Sequence, residues 1–120
     1  MPNVILIKHP INWGLQSRLV EDAANEALIS FGYEKNVELS IVFIGRKKAK
    51  DLNIKYRQKN YVPQVLGFPM SKTKDGDGLI RLGDIVICSQ KLKYEVKFQK
   101  KSIEFLLRDW IRHGVENLIK

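Results

Sequence analysis

Residues 4–45 read VILIKHPINWGLQSRLVEDAANEALISFGYEKNVELSIVFIG, and the succession of patterns in this stretch decides the fold. Val4-Ile5-Leu6-Ile7 is a continuous apolar run halted by His9-Pro10, which predicts a buried strand. A connector over 11–14 follows, containing Trp13 and Gly14. From Leu15 the period lengthens. Leu15, Leu19, Val20, Ala23, Ala24, Ala27, Leu28 and Phe31 recur at helical spacing, and Gly32 stands where a left-handed C-terminal cap is wanted. Val37 to Ile44 is then a second strand, ended by Gly45.

Downstream the signals shorten. A helix over roughly 47–56 has few apolar contacts, Ala49, Leu52 and Tyr56, and is otherwise basic. Val65-Leu66-Gly67-Phe68 is a short strand closed by Pro69, and residues 72–78 are rich in turn formers and read as a flexible loop. Leu79 to Cys88 is a strand interrupted by Gly83-Asp84. A linking stretch near 91–98 leads to a last helix from about residue 100, with Ile103, Leu106, Leu107, Trp110, Ile111, Gly114 and Leu118 as its apolar stripe. The order β-α-β-α-β-β-α-α predicts an α/β (α+β) fold, one domain over residues 1–120 with a mixed β-sheet and helices packed on it.

The bulk properties narrow the class. The 120 residues are 44% hydrophobic and 28% charged, a globular rather than a disordered balance. No apolar run reaches the roughly 20 residues that cross a bilayer, and the N-terminus lacks the basic region and cleavage site of a signal peptide. The single cysteine, Cys88, excludes an intramolecular disulfide, and the expected location is the cytoplasm. The net charge of +8 is unevenly placed: residues 1–44 carry −2 and residues 45–120 carry +10. A basic half beside a mildly acidic one suits a polyanionic partner, or simply a lysine-rich solvated surface.

Three places carry candidate chemistry. Arg46, Lys47, Lys48, Lys50, Lys55, Arg57 and Lys59 form a cluster opposed only by Asp51, with Tyr56 and Tyr61 interleaved. Cations neutralise phosphates and aromatics stack on unpaired bases; the same pattern also fits a solvated helix face anchored by its tyrosines. Gly83 marks a bulge or a close backbone approach, with Asp84 beside it to orient a ligand or satisfy backbone donors. Asp75-Gly76 and Asp77-Gly78 lack the later ligands of a calcium loop and read as turns. His113 lies at the edge of the last apolar stripe. Helical zinc sites use two histidines four residues apart, but the second position here is Asn117, so spacing alone makes His113 a structural residue.

Taken in order, several of these segments resemble the YbeY family of zinc-dependent endoribonucleases. Val37 to Gly45 is similar to the family's second strand. Leu52-Asn53-Ile54-Lys55-Tyr56-Arg57 looks like its Leu-Asn-x-x-Tyr-Arg segment, and Val65-Leu66-Gly67-Phe68-Pro69 like its Val-Leu-Ser-Phe-Pro strand. Leu82-Gly83-Asp84-Ile85 resembles its Leu-Gly-Asp-Ile strand, and His113-Gly114 matches the start of His-Gly-x-x-His-x-x-Gly-Tyr-Asp-His. The resemblance implies cleavage of single-stranded RNA during ribosomal-RNA maturation, with ribosomal RNA and the small ribosomal subunit as partners. It also implies zinc held by three histidines, Arg57 on the phosphate, His113 as first zinc ligand, and Arg46, Lys47, Lys48, Lys50, Lys55 and Lys59 as the RNA-binding surface.

The chain also departs from that pattern. Val62-Pro63-Gln64 stands where the family has Pro-Thr-Asp, Gly67 replaces a serine, and Asn117 replaces the second histidine. The third ligand is expected beyond Lys120, so one of three zinc ligands is present on this reading. Two functions follow from the resemblance. One is an RNA-cleaving domain, working through recruited metal or through acid–base chemistry by His113 with Arg57 stabilising charge. The other is a module that binds RNA or the ribosome without cutting. Oligomeric state is left open.

Overall fold

The computed structural model describes residues 1–10 and 14–120; of the connector over 11–14, only Gly14 lies within them. The elements follow the expected order: β1 (Val4–Lys8), α1 (Ser17–Ser30), β2 (Val37–Ile44), α2 (Arg46–Arg57), β3 (Val65–Pro69), β4 (Ile80–Cys88), α3 (Ser89–Gln99) and α4 (Ile103–Ile119). The strands form one sheet in the order β1-β2-β4-β3. The first three of that order run parallel, and β3 runs antiparallel to β4, so the sheet is mixed.

Strand alternation divides the core. Val37, Leu39, Ile41 and Phe43 of β2 and Leu82, Ile85 and Ile87 of β4 meet the apolar stripes of α1 and α4 on one face. Ile44, Val86, Cys88 and Leu66 point to the other face, where Ala49 and Leu52 of α2 cover them. Gly32 closes α1 as its spacing predicts. At φ 90° it donates to the Ile29 carbonyl, and Tyr33 N–H donates to the Leu28 carbonyl at 2.8 Å, a Schellman pair.

Three expectations are corrected. The β1 strand is not buried: Ile5 and Ile7 face the core, but Val4 and Leu6 are exposed. It is an edge strand, and α2 covers only the far part of that second face. The stretch 91–98 is not a linker but most of α3, held by buried Leu92 and half-buried Val96 and stopped by Lys100 in the left-handed region. Its alternating lysines hide the helical period. The last helix therefore begins at Ile103, where Ser102 Oγ accepts a hydrogen bond from Phe105 N–H.

The loop over 72–78 is pinned rather than flexible. Arg81 Nη1 binds Asp75 Oδ2 and Nη2 binds Asp77 Oδ2, both at 2.7 Å, while Nε holds Glu38 at 3.0 Å. The Arg81 hydrogen bond, helped by Leu79 N–H, holds the Asp77 carboxyl below its ordinary value of 3.8. The folded state therefore takes up this proton less readily than the unfolded one. The stabilisation is present above pH 3.8 and is lost as pH falls through the lower folded value. The Leu79 amide resonance, reporting its bond to Asp77, is expected to titrate below 3.8 in the wild type and closer to 3.8 in Arg81→Gln.

Candidate functional site

The α2 helix is locally unfavourable, and the reason bears on its surface. Its N-cap is Gly45, without a side-chain cap, and its first turn holds Arg46, Lys47 and Lys48 with no acid. Cations at the positive end of a helix dipole each cost about 0.3–1 kcal/mol. The helix is held down through Ala49 and Asn53, its buried residues. Arg46, Lys47, Lys48, Lys50, Lys55, Arg57 and Lys59 are all exposed, and none has a carboxylate partner among the described residues. Four cations elsewhere are paired with carboxylates: Arg81 with three acids, Arg108 with Glu26 and Glu104, Arg18 with Asp22, and Lys120 with Glu116.

Helical spacing splits this cluster. At 100° per residue, Arg46, Lys50 and Arg57 lie along one flank of α2 and Lys48 and Lys55 along the opposite one, with Lys47 between them on the outer face. Lys59 lies past the helix end. The seven cations are therefore two flanks and an outer edge, not a single patch. Lys55 Nζ sits over the Tyr56 ring, whose edge meets Phe68 at 5.1 Å.

Arg57 is placed by the turn that follows it. Gln58 adopts the left-handed conformation, Lys59 N–H donates to the Asn53 carbonyl, and buried Asn53 donates through Nδ2 to the Tyr61 carbonyl at 3.0 Å. The segment is thereby folded back on α2, leaving Asn53 Oδ1 without a hydrogen-bond partner among the described residues. Arg57 and Val65 line two adjoining recesses. One, of about 310 Å³, includes Tyr61, Gln64 and Lys91; the other, of about 350 Å³, includes Tyr56, Gly67, Phe68 and Asn117. Both lie against β3, whose outer edge pairs with no strand among the described residues. The first opens where β4 ends and α3 begins, beside the end of α2, and carboxyl ends of parallel strands are where open α/β sheets usually bind ligands.

The opposite wall comes from α4. Gly114 rests directly on the Ile85 side chain, and Gly67 of β3 faces Asn117 and the Gly114 carbonyl. Two residues without side chains let the helix approach the sheet, and this brings Asn117 into the Arg57 recess. His113 lies one turn back, about 6 Å along the helix. It is 62% exposed, its Nε2 is 3.4 Å from Asp109 Oδ1, and it lines neither recess. The sequence missed Lys91, hidden in the supposed linker, and the aromatic wall made by Phe68.

The donor set does not fit a catalytic zinc, which takes three protein ligands. His113 has Asp109 beside it and Asn117 at the second position, and no group of three or more His, Cys, Asp or Glu capable of holding a metal occurs among the described residues. Cys88 is buried beneath α2, and His9 follows β1 at the other edge of the sheet. A larger recess, about 590 Å³ between α1 and α4, is lined by Glu26, Phe31, Phe105, Arg108 and Arg112. Its Arg108 is already paired with Glu26 and Glu104, and it shares no residue with the Arg57 recesses.

Comparison with known proteins gives consistent matches. The family model of endoribonuclease YbeY matches residues 8–119. The chain is 34% identical over 87 residues to endoribonuclease YbeY of Wigglesworthia glossinidia brevipalpis, covering 72% of this chain and 57% of that protein. It is 32% identical over 103 residues to that of Alkaliphilus oremlandii (84% and 68%), and 37% identical over 84 residues to that of Bartonella quintana (68% and 52%). The chain thus spans between about half and two thirds of these relatives' length. In fold it is similar to the solution structure of TM1509 from Thermotoga maritima, with a TM-score of 0.61 at 19% identity over 98% of this chain and 73% of that one.

Proposed function

The chain belongs to the YbeY family of endoribonucleases, and from that premise we propose that it acts on single-stranded RNA in ribosomal-RNA maturation, in the cytoplasm and at the small ribosomal subunit. The observation that carries this is Arg57, an exposed guanidinium without a carboxylate partner among the described residues, at the mouth of two recesses. Arg57 binds the scissile phosphate with its planar fork and stabilises charge that develops there. The unpaired cations of α2, Arg46 and Lys50 on the same flank and Lys47, Lys48, Lys55 and Lys59 beyond it, hold the flanking phosphates. His113 is the acid–base group of this reading, with Asp109 orienting its ring.

A second reading, binding without cutting, is supported by a separate observation. The α4 side chain in the Arg57 recess is Asn117, and His113 stands outside it beside Asp109. One assay separates the two. The purified protein is analysed for zinc and incubated with single-stranded RNA, with and without chelator. Cutting that survives chelator and is lost in His113→Ala supports the acid–base reading. Stoichiometric zinc with chelator-sensitive cutting overturns the binding-only reading and assigns the chemistry to metal. Salt-sensitive binding of intact RNA without cleavage supports the binding module.

A further inference from the structure

The α3 helix carries a feature that the Arg57 recess does not require. Tyr94 and Phe98 are 52% and 70% exposed, and their rings stack on each other, centroids 5.8 Å apart and planes 13° from parallel. The helix packs through Leu92 and Val96 on another face, so the core does not use these rings. A pair four residues apart steadies a helix far less than burying one such side chain would. Two large apolar rings left in water therefore need another account.

Their position supplies one. Lys91, Tyr94 and Phe98 are spaced three and four residues apart and share one face of α3. Lys91 itself lines the recess with Arg57, Tyr61 and Gln64. The aromatic pair thus continues from the Arg57 recess along α3 as one stripe, about 10 Å from Lys91 to Phe98. Residues 89–101 hold Lys91, Lys93, Lys97, Lys100 and Lys101 against a single acid, Glu95, which accepts a hydrogen bond from Gln99. Exposed rings among cations that have no carboxylate partner among the described residues complement an anionic strand with bare bases far better than an apolar protein surface.

We propose that Tyr94 and Phe98 form a base-stacking platform that grips single-stranded RNA beyond the Arg57 recess. The inference deepens the proposed function and rests on its choice of single-stranded RNA as ligand. A base of the strand stacks on the exposed ring faces while Lys97, and Lys91 with the protons that its 2.7 Å bond to the Val62 carbonyl leaves over, meet the neighbouring phosphates. Recognition is of base planes, so it is tolerant of sequence and blind to duplex, whose bases are covered.

The test measures equilibrium binding of a labelled oligoadenylate of about twelve nucleotides, its intactness checked on a gel, to the full chain. The double variant Tyr94→Ala/Phe98→Ala is expected to bind roughly tenfold to hundredfold more weakly. Phe98→Trp, which keeps a stacking face, is expected to bind as the wild type does, and a duplex of equal length is expected to bind both proteins alike. The proposal is overturned if the alanine pair holds the single strand undiminished, or if duplex binding falls in parallel. It is equally overturned if sedimentation shows the wild type self-associating through these rings, association being lost in the alanine pair. Ring-dependent binding without any cleavage keeps the platform and defeats the nuclease reading; cleavage with undiminished affinity in the alanine pair does the reverse.

Discussion

Arg57→Ala is expected to lower kcat/KM for single-stranded RNA by about a hundredfold or more, the loss typical when a charge-stabilising donor is removed from a reacting centre. The residue is exposed at the end of α2 and has no ion pair among the described residues, so its removal leaves no buried charge behind. Stability is accordingly expected to change by no more than about 0.5 kcal/mol. Arg57→Lys separates charge from geometry. The ammonium keeps the attraction to phosphate but loses the planar fork, so binding is expected to fall less than turnover does. Steady-state cleavage with urea unfolding on the same samples decides the matter: unimpaired turnover in Arg57→Ala removes this residue from the mechanism. For a chain that binds without cutting, the same substitution is read as loss of affinity at low salt.

Gly83→Ala is expected to be the most destabilising single methyl that can be added to the sheet. Gly83 sits at φ 136°, a conformation that residues with a Cβ rarely adopt. It follows the bulge at which Arg81 pairs with Glu38 but Gly83, not Leu82, pairs with Leu39. A Cβ there would run into the Phe68 carbonyl of β3 and the Met70 nitrogen just past its end. Strain of about 1–3 kcal/mol and overpacking of about 1–3 kcal/mol both apply, so a loss of about 3 kcal/mol or more is expected in urea unfolding. That is a large part of the roughly 5–15 kcal/mol that stabilises a domain. The control is Gly76→Ala, where nothing lies within 4 Å of the added carbon, with an expected change within about 0.5 kcal/mol. Since Phe68 and Gly67 wall the Arg57 recess, any folded fraction of Gly83→Ala is also expected to bind RNA more weakly.

Much of the fold was legible because it is written in local periods. The helical spacing of α1 and its glycine cap, the run of β2 and the glycine that ends it, and the apolar stripe of α4 each lie within one element. Neighbouring residues suffice to read them. The α3 helix was not legible, since its lysines break the apolar period and its support comes from one distant contact surface beneath Leu92. Nor was the exposure of β1. Val4 and Leu6 look like core residues until the strand order places them at an edge with one uncovered face. The loop over 72–78 looked free because its anchor, Arg81, draws on Glu38 from another strand.

The candidate site divides the same way. The cations of α2, Arg57 at its end and His113 on α4 are all visible in the sequence, as is the family pattern that joins them. The sequence by itself determined the helix and strand inventory apart from α3, the surplus of cations after residue 44, and membership of the YbeY family. Only the tertiary structure decided that β4 lies between β2 and β3, that Lys91 joins Arg57, and that Asn117 rather than His113 faces the recess. The physical reason is that each of these rests on a close approach between segments far apart in the chain: Gly83 against Phe68, Gly114 against Ile85, Gly67 against Asn117. Those contacts set strand order and the seating of α4 on the sheet, and no local period encodes them.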